Sequence, residues 1–478
     1  MRRLPILFVL FVAACSGDDS SDRQPDGGDA GASGSGGSIR GNSGAGGAQS
    51  GAGGAAAGSG GARAGTGGAT AGRGGAGGNA GTAGRAGSSG AGSGGGGAGG
   101  AAGSSGSSGN GGVSSTNQWV LGYYTGYQLH LLEIDQIDWS GLTHVAFAPM
   151  LVKADHTLDF DFSSERGTGE QDAKALATAA HAHGVKALLM LGGAGAGPQI
   201  AAAATAANRG AFITTLLDAL TTLGYDGIDL DWEDSVNVDD LVALAQGLRA
   251  AKPSISLSYP GGPINPNIDS VDPKLVTLAQ SLDRFNIQTY YPATAVAGSG
   301  WNSWFSSPLK GAMPATPITI EDSLQRYATA GIPKNKLGMG ISFYAICYTG
   351  GITGPRQATN GSSQRIVGGD NDYPLSTLFA PGSTLDKNAS ARKFDDMAQV
   401  PYLALSNPVN DSGCKADTQY IAYEDEVSIL AKGAYSKSNG YGGIIIWTIQ
   451  EGWLPANATG GRAPNALFQA LKQGFIDP

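Results

Sequence analysis

The sequence predicts an α/β fold, a (β/α)8 (TIM) barrel with a small insertion between its last two strands, preceded by a disordered N-terminal segment. Three observations carry this. From Asn117 onward, short apolar, β-branched or aromatic runs alternate with longer segments of helical period, the pattern of parallel βαβ units. Eight such units in Asn117–Pro478 fit a closed barrel with one insertion better than an open doubly wound sheet. Before them lies a stretch of Gly, Ala and Ser. The chain has 79 Gly in 478 residues, far above the usual share of about 7%, and most of the excess sits there.

Taken in order, strands are expected at Val120–Tyr124, Thr143–Met150, Lys186–Gly192, Gly227–Trp232, Ile255–Tyr259, Arg284–Tyr290, Gly338–Phe343 and Gly443–Trp447. Helical patterns lie at Gln171–His183, Arg209–Leu223, Val238–Ala250, Pro273–Leu282, Glu321–Thr329 and Glu424–Ser436, and Asn465–Lys472 would close the ring. After the first strand only Leu131–Ile137 is available for a helix. The surplus length, from about Thr349 to Gln419, reads as a small lobe or long loops at the barrel mouth. Chemistry in such barrels sits at the carboxyl ends of the strands.

Net charge is −9 and the sequence pI is near 5.0, with no cluster of Lys and Arg. That excludes a nucleic-acid partner, which needs a basic footprint, and suits an uncharged polymer. Arg2 and Arg3 followed by the apolar run Leu4 to Val12 form an export signal too short to span a bilayer. Val12-Ala13-Ala14-Cys15 resembles the lipobox of bacterial lipoproteins, which implies lipidation at Cys15. Residues 1–14 are thus expected to be a signal peptide, 15–116 a disordered tether and 117–478 the catalytic barrel. The tether is too poor in apolar residues to fold. At roughly 90 flexible residues it would span about 50 Å. A lipid-anchored protein at the cell envelope or surface, or released from it, follows. Cys347 and Cys414 either form a disulfide, worth about 4 kcal/mol, or remain free thiols.

The segment Asp226-Gly227-Ile228-Asp229-Leu230-Asp231-Trp232-Glu233 is the informative one. Side chains on a strand alternate faces, so Asp229, Asp231 and Glu233 share one face while Ile228, Leu230 and Trp232 share the other. The apolar set suits packing against outer helices, which turns three carboxyl groups into the barrel. Buried carboxyls without cations keep a proton near neutral pH, and Glu233 at the open end can then act as a general acid. A calcium loop would need more oxygen ligands on a flexible turn. The five histidines show no metal spacing, so no metal and no cofactor is expected.

The same segment resembles the Asp-x-x-Asp-x-Asp-x-Glu signature of glycoside hydrolase family 18, the chitinases and endo-β-N-acetylglucosaminidases. All four acidic positions are filled. The likeness extends over Gln118–Phe475, with Val120–Tyr124 similar to the family's first strand, Arg284–Tyr291 to its sixth, and Tyr423–Tyr435 to the helix before its last. The resemblance implies a retaining, substrate-assisted mechanism. Glu233 would serve as general acid/base, and Asp231 would hold the substrate's acetamido group with Asp229 behind it sharing a proton. Tyr290 would bind the acetamido carbonyl, with Gln288 lining the same pocket. Trp447 would lie under the sugar at the cleavage site, with Tyr123, Tyr259 and Asp226 as further substrate-binding residues. Trp301 and Trp304 would either stack sugars in outer subsites or pack locally. Two positions depart from the family pattern. Tyr291 replaces a usual Asp or Asn, and Met190 stands where the family has Ser, taking one hydrogen bond from Asp229.

The function expected is endo-hydrolysis of β-1,4-linked N-acetylglucosamine polymers or oligomers, by a monomer. An endo-β-N-acetylglucosaminidase acting on N-glycan cores is the alternative. A non-catalytic lectin is the reading from another class, and the presence of Glu233 weighs against it.

Overall fold

The computed structural model describes residues 118–264, 270–290, 301–359, 366–410, 413–414 and 417–478. The export signal, Cys15, the tether and Tyr291 lie outside the described residues. Eight parallel strands form the barrel: β1 Trp119–Thr125, β2 His144–Val152, β3 Lys186–Gly192, β4 Gly227–Asp231, β5 Ser256–Gly261, β6 Arg284–Ile287, β7 Leu337–Ser342 and β8 Gly443–Trp447. Each pairs with the next, and β8 pairs with β1 to close the ring.

The alternation within the strands separates two cores. On β1, Trp119, Leu121 and Tyr123 point inward, where they meet Ala146, Leu188 and Met190. Val120 and Tyr124 belong to the outer core instead. On β4, Ile228 and Leu230, with Trp232 beyond the strand end, join that outer core together with Leu241, Leu244 and Leu248 of the helix that follows. Such apolar burial, at about 25 cal/mol per Å², is what forces Asp229 and Asp231 to the inside.

The outer layer comprises α1 Gly169–Ala182, α2 Gly197–Ala204, α3 Arg209–Leu223, α4 Val238–Ala251, α5 Pro273–Ser281, α6 Ile320–Ala330, α7 Glu426–Asn439 and α8 Ala466–Leu471. Their ends follow local chemistry. The Asn237 side chain accepts from the backbone of Asp239 and Asp240 to start α4, Asp272 and Thr319 cap α5 and α6, and Asp425 opens α7 with a reciprocal capping box. Gly224 ends α3 with φ of +80°, a conformation costly for other residues.

Two expectations are corrected, and one helix has no counterpart among them. No α-helix follows β1; Gly126–Gln128, Ile134–Gln136 and Trp139–Gly141 are single 3-10 turns. A seven-residue candidate is too short to nucleate, and the Asp138 side chain captures the Ser140 N–H and breaks any continuation. Helix α2 carries only a short alanine run, which gave no period to read. Strand β6 is shorter than expected, because beyond Ile287 the Thr289 hydroxyl replaces the ladder, donating to the Gly340 carbonyl and accepting from the Gly340 N–H.

Between β7 and β8 the chain builds a five-stranded antiparallel sheet, in the order Ile366–Gly368, Ile346–Tyr348, Thr418–Ala422, Val400–Val409, Arg392–Asp395. Its apolar centre joins Tyr348, Val400 and Tyr420 to Trp304 and Phe305, which come from the segment before α6. Cys347 is joined to Cys414 by a disulfide, with Cα atoms 5.8 Å apart and a sequence separation of 67. Closing a loop of that length restricts the unfolded chain by about 4 kcal/mol.

Candidate active site

The carboxyl end of β4 brings the acidic residues into the barrel. Gly192 and Gly193, ending β3, have φ of +110° and +104°, and a side chain on Gly192 would run into the Asp231 carbonyl. That close approach lets the Gly193 N–H donate to the Asp231 carbonyl at 2.8 Å. The Asp234 carboxylate accepts from the N–H groups of Gly195 and Gly197, which ties the loop after β3 to the loop after β4.

Asp229 is fully buried. Its carboxylate accepts from the Tyr123 hydroxyl at 2.7 Å and from the Ser258 hydroxyl. One step outward, Asp231 is also buried, and it is hydrogen-bonded to Glu233. The Gln288 amide spans both, donating to Asp231 Oδ1 at 3.2 Å and to Glu233 Oε1 at 2.8 Å. Tyr290 lies half-buried near all three acids, which push its hydroxyl pKa further up after burial has raised it. Trp447 ends β8 across the mouth, with its ring 5.1 Å from that of Tyr123.

Burial raises the pKa of all three carboxyls. Asp231 is held well above its ordinary range by burial first, then by the charges of Glu233 and Asp229. Glu233 is raised by burial, against the hydrogen bonds from Gln288 and Asp231. Asp229 is raised by burial, while Ser258, Tyr123 and the charge of Arg284 pull it back. The Asp231–Glu233 bond favours the proton on Asp231, so the pair keeps a proton that isolated carboxyls would have lost. This has a consequence for stability. An acid with a raised folded pKa binds more protons folded than unfolded between its ordinary value, about 4, and the raised one. Stability therefore falls as pH rises through that interval. Replacing Asp231 by Asn removes this term. The melting temperature of Asp231→Asn, relative to wild type, should be higher at about pH 7 than at about pH 4. Calorimetry at both values checks this, and an equal difference at the two would count against it.

The other candidate positions divide. Tyr123 is buried beneath the mouth and holds Asp229 instead of facing open space. Tyr259 is also buried and edge-on to Phe285, and burial first, then the charges of Asp231 and Glu233, raises its hydroxyl pKa. Trp304 packs locally, its indole N–H donating to the Ile318 carbonyl at 2.7 Å. Asp226 is corrected: it precedes β4 at the amino end of the barrel, where it accepts from the Ala187 N–H and pairs with His181, each at 2.8 Å. Five residues separate it from Asp231, roughly 16 Å of strand, so it cannot reach the mouth. Met190 is buried beside Asp229, and the hydroxyl it lacks is supplied from the other side by Ser258. That residue gives no motif signal, although the Ser256-Leu257-Ser258-Tyr259 alternation places it inward. Asp370, from the insertion, also went unread. It accepts from the Tyr127 hydroxyl and the Gln128 amide at 3.0 and 2.8 Å and bonds the Trp447 side chain.

Comparison with known proteins fits this geometry. Residues 119–452 match the model of a family described as glycosyl hydrolases family 18. A probable endochitinase of Caenorhabditis elegans is 28% identical over 342 residues, covering 64% of this chain and 51% of that one. Chitinase A1 of Niallia circulans is 27% identical over 280 residues, 52% of this chain and 38% of that one. The matched region thus spans about half or less of these two relatives. Among solved structures, the Group IV chitinase of Ostrinia furnacalis superposes with a TM-score of 0.61 at 21% identity, over 75% of this chain and 100% of that one, a likeness of fold. With the family model matched along nearly the whole barrel, the chain belongs to the glycosyl hydrolases of family 18.

Proposed function

We propose that this chain hydrolyses β-1,4-linked N-acetylglucosamine polymers or oligomers, internally and with retention of configuration. The observation that carries the reading is the Asp231–Glu233 pair, bridged by Gln288 at the carboxyl end of β4. The names of the relatives as chitinases support the substrate class.

The chemistry follows from the residues. Glu233, on the solvent side of the pair, takes the proton of Asp231 across their hydrogen bond and passes it to the glycosidic oxygen as the bond to the anomeric carbon breaks, which leaves Asp231 a carboxylate. The substrate's own acetamido carbonyl closes on that carbon, so no enzymic nucleophile is required. Asp231 accepts from the acetamido N–H and offsets the positive charge of the oxazolinium ion, while the Tyr290 hydroxyl donates to the acetamido oxygen. Trp447 offers a flat apolar face to the sugar ring. Water, deprotonated by Glu233, then opens the ring. The amino-terminal sequence suits an exported enzyme tethered through a lipid on Cys15, working on polymers too large to enter a cell.

Product analysis tests this. The protein is incubated with chitooligosaccharides and, separately, with a high-mannose glycopeptide, and the anomer first released is read by proton NMR. Release of β-anomeric oligosaccharides from the first substrate supports the proposal. Cleavage of the glycopeptide alone would assign the site to N-glycan cores, and binding without turnover of either would make the barrel a lectin.

A further inference from the structure

The floor of the barrel holds an arginine that the mechanism does not use. Arg284 opens β6, and the alternation that turns Asn286 and Gln288 inward turns Arg284 inward as well. It is 8% exposed. Its guanidinium Nη2 donates to the Ser256 hydroxyl at 2.5 Å, and its Nε has no hydrogen-bond partner among the described residues. A buried cation is costly unless a negative charge faces it.

Its chain neighbour Asp283 acts on it most strongly, and the strand register adds a second, buried carboxylate. Met190, Asp229, Ser258 and Arg284 are aligned across β3, β4, β5 and β6, each the register partner of the next. Asp229 and Arg284 thus flank Ser258 in one layer of the barrel, and Ser258 itself bonds Asp229. On the opposite side of Asp229 stands Met190, with no hydroxyl to offer. The other ionisable groups facing Asp229 are Tyr123 from β1, Asp231 from its own strand and Tyr290 beyond β6. Around Arg284 stand Asp283, Arg249 and His144. His144 is kept neutral at any working pH by burial and by the charges of Arg284 and Lys186, its pKa pushed down to about 2. Asp229 is then the inward carboxylate beside the guanidinium.

We propose that Arg284 is a positioning residue for the reaction: as the counter-charge of Asp229 it keeps that residue a carboxylate, so that the proton of the acidic strand stays on Asp231 and faces Glu233. The arrangement fits this. Asp229 is bonded to Tyr123 and Ser258, and Asp231 is bonded to Glu233. The two hydroxyls, one on each carboxylate oxygen, favour the ionised form against the burial that opposes it. A charged Asp229 beneath a charged Asp231 would repel it. With Arg284 in place, one carboxylate and one acid are stacked in the order that catalysis requires. The proposal rests on the reading of Glu233 as the proton donor.

The test uses the whole chain with Arg284→Met and Arg284→Gln, which remove the charge, and Arg284→Lys, which keeps it. Without the cation, Asp229 takes up a proton at higher pH, and the acidic limb of the kcat profile moves upward. At about pH 5 the neutral variants should lose roughly fivefold or more in kcat beyond their loss at about pH 7, with KM changed little and the Lys variant close to wild type. Carbon-13 NMR of aspartate-labelled protein, with the Asp229 signal assigned through Asp229→Asn, should show the same upward displacement. Folded neutral variants with an unchanged profile and an unchanged Asp229 titration would overturn the proposal. So would failure of both neutral variants to fold beside a normal Lys variant, which would make Arg284 a purely structural residue. If the wild-type protein cleaves no chitooligosaccharide, the functional reading fails while the NMR titration still decides the coupling of Arg284 to Asp229.

Discussion

Glu233→Gln is expected to lower kcat on chitooligosaccharides by about 10²–10⁴-fold, the usual worth of a positioned general acid. The variant keeps the size and shape of the side chain and an oxygen that can accept from the Gln288 amide, so neither the fold nor the mouth should rearrange. It cannot give up a proton. Binding of the sugar, carried by Trp447 and Tyr290 in the proposed mechanism, should stay within a few-fold of wild type, and KM and kcat should separate cleanly. Steady-state rates with calorimetric binding of an oligosaccharide check both halves. Retained turnover would move the acid to another residue. Loss of binding together with turnover would make Glu233 a binding residue.

The second large effect concerns stability. Lys432 on α7 is paired with Glu424 at 2.6 Å, and neither side chain is exposed to solvent. The Ser428 hydroxyl donates to the same Glu424 oxygen, while the other oxygen has no hydrogen-bond partner among the described residues. Burial acts against both charges, raising the pKa of Glu424 and lowering that of Lys432, and their mutual attraction opposes it. Lys432→Met leaves a buried carboxyl without its cation, at a cost of about 3–5 kcal/mol. For a domain of this size the melting temperature should fall on the order of 5 °C. Adding Glu424→Leu should recover most of the loss, because an apolar pair of similar volume carries no desolvation penalty. Scanning calorimetry of the single and double variants measures this, and a double variant no better than the single would mean that packing, not charge, is at stake.

Much of the barrel is legible from local pattern. Lys186–Gly192, Arg209–Leu223 and Gly443–Trp447 have the same limits in sequence and structure, because each apolar run opens on Gly or a charged residue. The segment after β1 misleads because Leu129, Leu132 and Trp139 are buried one by one from turns, without a helical face. The acidic strand reads well for the residues that alternate inward at its outer end. Asp226 reads badly because membership in a spaced pattern says nothing about which end of the strand a residue occupies. Ser258, Arg284 and Asp370 escape notice for a different reason. Their partners lie on other strands or in the insertion, and only the closed ring brings them together.

The insertion leaves the barrel at Ser342 and returns through α7 to Gly443, and β7 and β8 are hydrogen-bonded neighbours. Its two ends are therefore already held side by side, and its sheet and disulfide organise the rest. Such a segment behaves as a cassette. Lengthening it adds little closure entropy, since that cost grows only with the logarithm of length. The acidic strand β4 lies on the opposite side of the ring. On the proposed reading, the range of glycans admitted could diverge through the cassette while the acidic strand stays as it is, and exchange of Ile346–Ala422 between relatives would be the natural route to altered substrate range.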